Sequence, residues 1–539
     1  MSTPAETVPF PCFEQIPEEF RIAPFDQREY LVDGELRAWE GPIQQALSPV
    51  CLQTEEGLQP FRLGSFPSMT TAEALEAVDA ADRAWDSGSG LWPTMPLADR
   101  IRCLEDFTQA MLLRREEVAR LLMWEVGKTW RDSCKEFDRT VDYIRETLDA
   151  VKELDRASSR FSCHEGILAQ VRRAPLGVTL CMGPFNYPLN ETCTTLIPAL
   201  LMGNPVIFKP SRPGSLVFGP LLQAFRDAFP PGVVNAVYGS GARVVGPMME
   251  SGRISCLAFI GSTRAADLLK TQHPAPHRLR SCLGLGAKNP AIILPDADLD
   301  LAVRECVSGG LSFNGQRCTA LKILFVHQSV AEDFVARMAQ AITALRVGMP
   351  WEEGVSITPL PEAGKPGELQ DLVQDACRTG AEVINPGGGR TLATLFWPAL
   401  LYPVCPAARV YHEEQFGPVV PVVPFKDVAE PIRYLVESPY GQQASLFGQD
   451  PEGLARLIDP LVNQVCRLNL NSQCQRGPDV LPFTGRKDSA EGTLSVSDAL
   501  RVFSIRTLVA ARESASNKAI LADILRERRS AFLSTDFLF

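Results

Sequence analysis

Several features are missing from this chain of 539 residues. No apolar run approaches the roughly 18 residues needed to cross a bilayer, so we expect no membrane-spanning helix. The first twenty residues contain four glutamates and no lysine or arginine, so they lack the charged start of a secretory signal. Basic residues number 53 against 64 acidic ones, and the net charge of -11 disfavours a nucleic-acid partner. We therefore expect a soluble, cytoplasmic protein that binds neither membrane nor nucleic acid.

Metal-ligand spacings are missing as well. The 15 cysteines include no Cys-x-x-Cys pair and no zinc spacing, so we interpret most of them as reduced core residues. His273 and His277 stand four residues apart, but the prolines between them argue against a helical metal-binding face. We expect no metal site.

What is present is typical of a globular enzyme-sized chain. Hydrophobic residues make up 45% and charged residues 22% of the sequence, which excludes a disordered chain and a coiled coil. Amphipathic helical patterns run from Thr71 to about Leu154, in three segments. After Pro175, short apolar runs alternate with helical stretches in two series, which predicts an α/β fold with parallel sheets. The first series is GVTLCMG, PVIFKP, VVNAVYG, CLAFIG and AIILP; the second is LKILFV, AEVINPG, VVPVVPF, ASLFG and CRLNLN.

The chain ends in a segment of different character. The stretch NKAILADILRERRSAFLSTDF has apolar residues at helical spacing and a basic cluster. We interpret it as a terminal helix that packs on the body or on a neighbouring subunit, with a regulatory segment as the alternative.

The Gly-x-Gly-x-x-Gly fingerprint of a dinucleotide-binding unit is absent. Three other loops stand at predicted strand ends instead: MGPFNYPLN after residues 178–182, FKPSRPG after 205–209, and FIGSTRAA after 256–260. Ligands of open α/β sheets gather at the carboxyl ends of the strands. Each loop alone is an ordinary turn, but together they predict one ligand site.

The ordered succession FNYP, FKPS, FIGST, FNGQRCTA and EEQFGPV resembles the aldehyde dehydrogenase superfamily over about residues 70–505. The resemblance implies that Cys318, in GQRCT, is the nucleophile, and a thiolate suits attack on an aldehyde. It also implies that the Asn186 amide and the Cys318 N–H hold the oxyanion.

The sequence departs from the family at the general base. In hydrolytic members a glutamate in a Glu-Leu-Gly-Gly-Lys stretch activates the water, but the matching segment here reads CLGLGAKNP. Gly284 takes the place of that glutamate. Residues 281–295 contain no aspartate or glutamate, and the next carboxylate in the sequence is Asp296. Glycine cannot accept a proton, so hydrolysis of the thioester needs another base or another acyl acceptor.

The resemblance also implies a cofactor site. Arg212 occupies a position that is often a glutamate in NAD-dependent members, and a guanidinium pairs with a 2′-phosphate. We therefore predict NADP as the cofactor, with NAD possible. The predicted cofactor-binding residues are Lys209, Ser211, Arg212, Gly261, Ser262, Glu414 and Phe416.

Within the superfamily, SITPL, YGQQASLF, NSQCQRGPD and LPFTGRKDS most resemble the non-phosphorylating glyceraldehyde-3-phosphate dehydrogenase branch. The resemblance implies a phosphate site formed by Arg139, Tyr187, Arg317 and Arg476. The leading hypothesis is NADP-dependent oxidation of D-glyceraldehyde 3-phosphate to 3-phosphoglycerate. Two alternatives stay open because of Gly284: a dehydrogenase that acylates coenzyme A, and an impaired or noncatalytic member of the family.

The family architecture implies the following expected domain division. Residues 1–65 form an N-terminal arm, 66–155 and 175–285 a Rossmann-like NADP-binding domain, 286–483 the catalytic domain, 156–174 and 484–512 an oligomerisation arm, and 513–539 a helical tail. We expect a homodimer or homotetramer, because the strand arm has an edge to cover.

Overall fold

The structure, a computed structural model, describes residues 10–536 and 538. Its α-helices, in chain order, are α1 (Thr71–Trp85), α2 (Leu91–Thr94), α3 (Leu97–Leu112), α4 (Arg115–Val126), α5 (Trp130–Ala157), α6 (Asn190–Leu201), α7 (Leu222–Ala228), α8 (Gly241–Glu250), α9 (Thr263–Gln272), α10 (Leu299–Leu311), α11 (Ala331–Thr343), α12 (Lys365–Arg378), α13 (Arg409–His412), α14 (Ala429–Glu437), α15 (Pro451–Leu461), α16 (Val496–Val502) and α17 (Ala515–Arg526). Short 3₁₀ turns lie at Phe13–Gln15, Glu18–Phe20, Asp86–Gly88, Leu216–Leu221 and Ser312–Gly315.

The strands, in chain order, are β1 (Phe25–Asp26), β2 (Glu29–Val32), β3 (Glu35–Ala38), β4 (Ile43–Thr54), β5 (Gly57–Pro67), β6 (Ser162–His164), β7 (Ile167–Pro175), β8 (Thr179–Met182), β9 (Val206–Phe208), β10 (Val234–Ala236), β11 (Cys256–Ile260), β12 (Arg280–Gly284), β13 (Asn289–Ile293), β14 (Leu321–His327), β15 (Arg346–Val347), β16 (Val355–Ile357), β17 (Glu382–Val383), β18 (Thr391–Leu392), β19 (Leu395–Phe396), β20 (Ala399–Tyr402), β21 (Val419–Phe425), β22 (Tyr440–Gly441), β23 (Gln443–Phe447), β24 (Arg467–Leu470), β25 (Arg486–Lys487), β26 (Ala490–Glu491) and β27 (Ser504–Arg512).

Two large sheets organise the molecule. The first has the order β26-β12-β11-β8-β9-β10-β2-β3, and its strands from β12 to β10 run parallel. The second has the order β17-β20-β21-β14-β13-β23-β24 and is parallel except for β17 at its edge. The predicted α/β class with parallel sheets is confirmed.

The second sheet is buried on both faces, as the continuous apolar runs require. Along β13 and β14, Ile292 and Phe325 point into one hydrophobic cluster, while Ile293 and Leu324 point into another. Side chains alternate between the faces of a strand, so both faces must be apolar. The sheet is therefore a rigid base for the loops that leave its carboxyl edge.

Two expectations about the strands need correction. AIILP belongs with the first series by its position in the sequence, but it forms β13 at the centre of the second sheet. The hairpin β2–β3 was expected in an N-terminal arm, yet it pairs antiparallel with β10 and extends the first sheet. In both cases the neighbouring strand is set by backbone pairing between segments that are distant in the sequence. The local sequence pattern does not show this pairing.

The helical region also differs from the pattern in one place. A single apolar period runs through residues 101–127, but the helix breaks between α3 and α4 at Leu113 and Arg114. Both helices pack on α5, but α3 also packs on α6 and α7, whereas α4 also packs on β4. No proline or glycine marks the break in the sequence.

The expected oligomerisation arm corresponds to a small sheet of order β27-β7-β6. Within the second predicted arm segment, residues 484–512, however, the chain also forms α16, which packs on α5 and α6. The tail helix α17 is present, and none of its residues is fully buried, although Leu521, Ile524 and Leu525 are half-buried. The domain boundaries themselves stay a prediction.

Candidate active site

A cavity of about 1270 Å³ opens where loops from the two large sheets meet. It is lined by the segments that follow β8, β9, β11 and β12, together with parts of the second half of the chain around 312–319, 414–416 and 473–477. Ligand sites of parallel sheets form at such carboxyl ends. All thirteen residues predicted for catalysis, cofactor or substrate binding line this one cavity.

Cys318 lies in the turn before β14 and is half-buried. Its carbonyl oxygen accepts hydrogen bonds from Asn289 Nδ2 at 2.8 Å and from Lys322 Nζ at 3.0 Å. The preceding turn is held by Asn314, whose side chain exchanges two hydrogen bonds with Thr358. These contacts fix the backbone that carries the thiol.

The groups around Cys318 shift the pKa of its thiol in both directions. Burial raises the pKa of the thiol, and the negative charge of Glu191 raises it further, while Lys322 and Arg476 lower it. Glu414 adds a smaller contribution that raises it. The thiol form is therefore favoured in the free protein, and the nucleophile needs deprotonation during the reaction.

Asn186 stands beside the nucleophile turn. Its side-chain amide donates to the carbonyl of Gln316 at 2.8 Å, and the residue is buried. The neighbouring rings also join the two segments: Phe185 meets Phe416 edge to face with centroids 5.8 Å apart, and Tyr187 meets Phe313 at 5.9 Å. The asparagine and the cysteine are thus brought together from opposite halves of the chain.

The end of the cavity where the predicted cofactor-binding residues lie, called the cofactor end below, carries cations and a helix N-terminus. Lys209 is partly buried and donates to the carbonyl of Pro210 at 2.8 Å, and burial lowers the pKa of its ammonium to about 8. Arg212 is exposed at the rim. Ser262 caps α9 and follows Gly261, so the free amides of that helix open toward the cavity.

The other predicted cofactor residues lie deeper. Ser211 donates to the carbonyls of Pro184 and Pro213, which holds its loop in place. Glu414 pairs with the buried Lys322 at 2.7 Å and accepts from the Ala287 amide at 3.2 Å. A Cβ at Gly286 would lie 3.1 Å from Glu414 and 2.9 Å from the Tyr440 ring. This close approach, the cationic rim and the helix terminus suit a dinucleotide with an additional phosphate.

The four residues predicted to hold a phosphate line the same cavity, and two of them, Arg139 and Arg476, are already paired with carboxylates. Arg139 forms a two-point ion pair with Asp479, at 3.1 and 2.8 Å. Arg476, 5% exposed, pairs with the same carboxylate at 3.1 Å and with Glu191. Burial lowers the pKa of the Arg476 guanidinium. The negative charges of Glu191 and Asp479 raise it, and the pKa lies above its ordinary value.

The other two groups of the set differ from this pair. Arg317 donates to the carbonyls of Ser308 and Gly309, and within the described part of the chain its buried Nε has no hydrogen-bond partner. Burial raises the pKa of the Tyr187 phenol, and Lys128 Nζ lies 3.3 Å from the centroid of its ring. An unpartnered buried cationic donor is unusual and points toward an acidic ligand.

Gly284 ends β12 at the cavity wall. A Cβ built there lies 3.4 Å from Ile260 and 3.5 Å from Leu494, which are ordinary van der Waals contacts. Lys288 follows in the same segment, buried, and donates at 2.6 Å to both the Glu413 carbonyl and Gln415. Burial and the nearby Lys322 lower its pKa.

Three residues of the site are absent from the sequence-based prediction: Glu191, Asp479 and Lys322. Glu191 stands directly after FNYPLN and Asp479 directly after the predicted Arg-Gly stretch, so both were visible as carboxylates next to motif residues. Lys322 follows Cys318 by four residues and joins its carbonyl to Glu414. The signal was proximity in sequence, but only the fold shows which charges face each other.

Two further observations concern the described residues as a whole. Residues 10–536 and 538 contain no group of three or more histidine, cysteine, aspartate or glutamate side chains arranged to hold a metal ion. None of the helices in those ranges is long and apolar enough to cross a bilayer.

The chain is similar in sequence to a known protein family and to several known proteins. The sequence profile of the aldehyde dehydrogenase family matches residues 56–508. An NADP-dependent glyceraldehyde-3-phosphate dehydrogenase of Triticum aestivum is 30% identical over 482 residues, 88% of this chain and 93% of that protein. The protein of the same name from Streptococcus equinus is 33% identical over 440 residues, 80% of this chain and 90% of that protein.

A solved structure is similar as well. The NADP-dependent glyceraldehyde-3-phosphate dehydrogenase from Bacillus halodurans, complexed with NADP, superposes with a TM-score of 0.83 at 32% identity, and the match covers 91% of this chain and all of that chain.

Proposed function

The chain belongs to the aldehyde dehydrogenase family, and from this premise we propose that it oxidises D-glyceraldehyde 3-phosphate to 3-phosphoglycerate with NADP. It is an oxidoreductase that acts on aldehydes. The observation that carries the finer proposal is the shared cavity, which places Cys318 and Asn186 between a cationic rim and a cluster of three arginines and a phenol. The relatives that bear this activity in their names support the choice of substrate and cofactor.

In the proposed reaction the sulfur of Cys318 attacks the aldehyde carbon. The Asn186 amide and the Cys318 N–H donate to the oxygen that becomes negative, and such donors are effective because they are held in place before the reaction. The thiohemiacetal carbon then gives up a hydride and becomes a thioester. NADP supplies the hydride acceptor when it is bound. Water finally cleaves the thioester and releases the acid and the thiol.

The proposed cofactor contacts follow from charge. Arg212 and Lys209 serve the phosphorylated ribose, since a guanidinium donates well to a phosphate and accepts nothing from a hydroxyl. Ser262 and the first amides of α9 receive the pyrophosphate. Glu414, already oriented by Lys322, holds the nicotinamide ribose next to Phe416.

The proposed substrate phosphate binds between Arg317, Tyr187, Arg139 and Arg476. Arg317 has the unpartnered Nε, so it provides a donor that is not used by the protein. Arg139 and Arg476 already form ion pairs with Asp479 and Glu191. In this proposal the phosphate therefore binds to arginines that are already paired and not to free cations. We expect Arg317 to contribute more binding energy for this reason.

A second candidate function is acyl transfer to coenzyme A. It is favoured by one observation, the absence of a carboxylate at Gly284, because the thioester then lacks the usual base for hydrolysis. A noncatalytic role is disfavoured by the intact neighbourhood of Cys318, in which Asn186, Lys209 and Glu414 all line the cavity.

A spectrophotometric assay tests the proposal. The purified protein is mixed with glyceraldehyde 3-phosphate and NADP, and NADPH is followed at steady state and in the first turnover, with unphosphorylated glyceraldehyde as the comparison substrate. We expect steady turnover and a lower KM for the phosphorylated aldehyde, and no NADPH from Cys318→Ser. A burst that becomes turnover only with coenzyme A supports the second candidate, and equal KM values for both aldehydes contradict the proposed substrate.

The small sheet β27-β7-β6 supports a proposal about assembly. Ile505 and Leu508 on β27 and Ile167 on β7 are exposed, and the strands at its two edges carry unpaired backbone groups. We expect these edges to be covered in a homodimer or homotetramer. Light scattering on the purified protein measures the subunit number, and a monomer at micromolar concentration contradicts the expectation.

A further inference from the structure

We propose that Glu191 is the general base that replaces the missing glutamate at Gly284 and activates the water that hydrolyses the thioester on Cys318. This inference rests on the proposed function, since it needs a thioester to act on. The two positions belong to different elements, Glu191 to the first turn of α6 and Gly284 to the end of β12, yet both line the cavity that contains the nucleophile.

The choice of Glu191 follows from the other carboxylates of the cavity. Within the described part of the chain, four carboxylates line it: Asp132, Glu136, Glu191 and Glu414. Glu136 pairs with the fully buried Lys128 and accepts from two backbone amides, at Leu189 and Asn190. Both of its oxygens are thus engaged in holding the buried Lys128 and the turn that follows Asn186.

Glu414 and Asp132 are poorer candidates for other reasons. Glu414 is engaged by Lys322 and by the Ala287 amide at the cofactor end of the cavity. Asp132 lies in the first turn of α5, and its charge is not among the main influences on Cys318. Glu191 and Cys318 line the same cavity, and the negative charge of Glu191 is, after burial, the largest influence that raises the pKa of the thiol.

The contacts of Glu191 leave one of its oxygens able to accept a hydrogen bond from the reacting water. Oε2 pairs with Arg476, which compensates the charge of a carboxylate that is only 7% exposed. Oε1 accepts one long hydrogen bond, 3.4 Å from the Asn190 side-chain amide. A carboxylate oxygen has two acceptor positions, so Oε1 retains a site for a water molecule.

The proposed step balances. Water donates one proton to Oε1 of Glu191 while its oxygen bonds to the thioester carbonyl carbon. The resulting tetrahedral centre collapses, the carbon–sulfur bond breaks, and the thiolate of Cys318 leaves. The proton passes from Glu191 to the thiolate or to solvent, and the hydride has already left in the preceding step, so no further oxidant is needed.

The test uses Glu191→Gln, which keeps the size and the acceptor for Arg476 but cannot act as a base. With glyceraldehyde 3-phosphate and NADP we expect a burst of about one NADPH per subunit, followed by a steady rate at least about 100-fold below wild type. Hydroxylamine, which attacks a thioester without a base, should restore turnover. Adding Gly284→Glu to Glu191→Gln should also restore part of the steady rate, since Gly284 lines the cavity and a Cβ there makes only ordinary van der Waals contacts.

Asp479→Asn is the matched control, because Asp479 pairs with the same Arg476 but does not line the cavity. We expect it to raise KM without producing a burst. A second readout is alkylation of Cys318 by iodoacetamide: Glu191→Gln should shift the pH dependence to lower pH, and Asp479→Asn should shift it less.

Several outcomes overturn the proposal. They are a wild-type steady rate in Glu191→Gln, loss of the burst together with turnover in both variants, an unchanged alkylation profile, or a wild-type enzyme that turns over only with coenzyme A. Absence of any NADPH from wild type contradicts the proposed function instead, so the two failures are distinguishable.

Discussion

The two ends of the cavity hold their charges in different ways. At the cofactor end, Lys209 donates to one carbonyl and Arg212 is exposed at the rim. At the substrate end, Arg139 and Arg476 are paired with Asp479 and Glu191, which are themselves buried. The first arrangement leaves cationic charge for an external anion, whereas the second is neutralised by the protein itself.

This difference teaches that an arginine cluster is not by itself a phosphate site. A buried carboxylate next to a buried arginine makes each dependent on the other, because an unpaired charge away from water costs several kcal/mol. The substrate end therefore combines binding with structural stability, and the cofactor end does not. Substitutions at the two ends should consequently differ in what they disturb.

The largest effect is expected for Arg476→Ala. The change leaves Glu191 and Asp479 buried without their shared cation, so we expect a loss of about 3–5 kcal/mol in the free energy of unfolding and a KM for glyceraldehyde 3-phosphate raised far more than the KM for glyceraldehyde. Urea unfolding and steady-state kinetics measure the two quantities.

Arg317→Ala is the control for this prediction, because Arg317 donates to carbonyl and amide oxygens rather than to a carboxylate. It should raise the same KM with a much smaller loss of stability. Equal losses of stability in the two variants would show that the ion pairs of Arg476 contribute no more to stability than the hydrogen bonds of Arg317.

A smaller effect, confined to binding, is expected for Arg212→Gln at the cofactor end. The lost hydrogen bonds to a 2′-phosphate should weaken NADP binding about 10- to 100-fold, the usual range for a charge-assisted contact. The affinity for NAD and the free energy of unfolding should not change, since Arg212 is exposed. Fluorescence titration with both cofactors measures this, and a parallel loss for NAD contradicts the assignment.

The smallest effect is a pH dependence of cofactor binding. The pKa of Lys209 is about 8 in the free protein because of burial, and a bound anion favours the charged form and raises that pKa. Binding therefore takes up a proton above pH 8, and the affinity for NADP should be level below that pH and fall by up to about tenfold per pH unit above it. Lys209→Met should bind more weakly with no such slope, and a slope that persists in this variant assigns the titration to another group.

The sequence predicted the fold class, and the candidate site residues that it named line one cavity, because strand patterns and motif loops are local in character. Continuous apolar runs of four to seven residues require parallel strands buried on both faces, and the motif loops stand at the ends of those strands. Cys318 and Asn186 could be named because a short motif surrounds each of them. Their meeting across 132 residues of sequence could be expected only from the resemblance.

What could not be predicted depends on contacts between distant segments. Glu191 and Arg476 are separated by 285 positions, and neither carries a local signal for the other. The same holds for Arg139 and Asp479, 340 positions apart. The sequence motifs therefore indicate the arginines of the cavity but not the carboxylates that the fold places against them.

The sequence by itself determined the chemistry available to this protein: a thiol in a nucleophile motif, an amide donor, cations at strand ends, and glycine in place of the usual base. Only the folded chain shows which charges are free, which are paired, and that Glu191 lies in the cavity of the nucleophile beside Arg476. The physical reason is that hydrophobic burial follows local periodicity, whereas the energy of a charge depends on the groups around it in space, and those come from all parts of the chain.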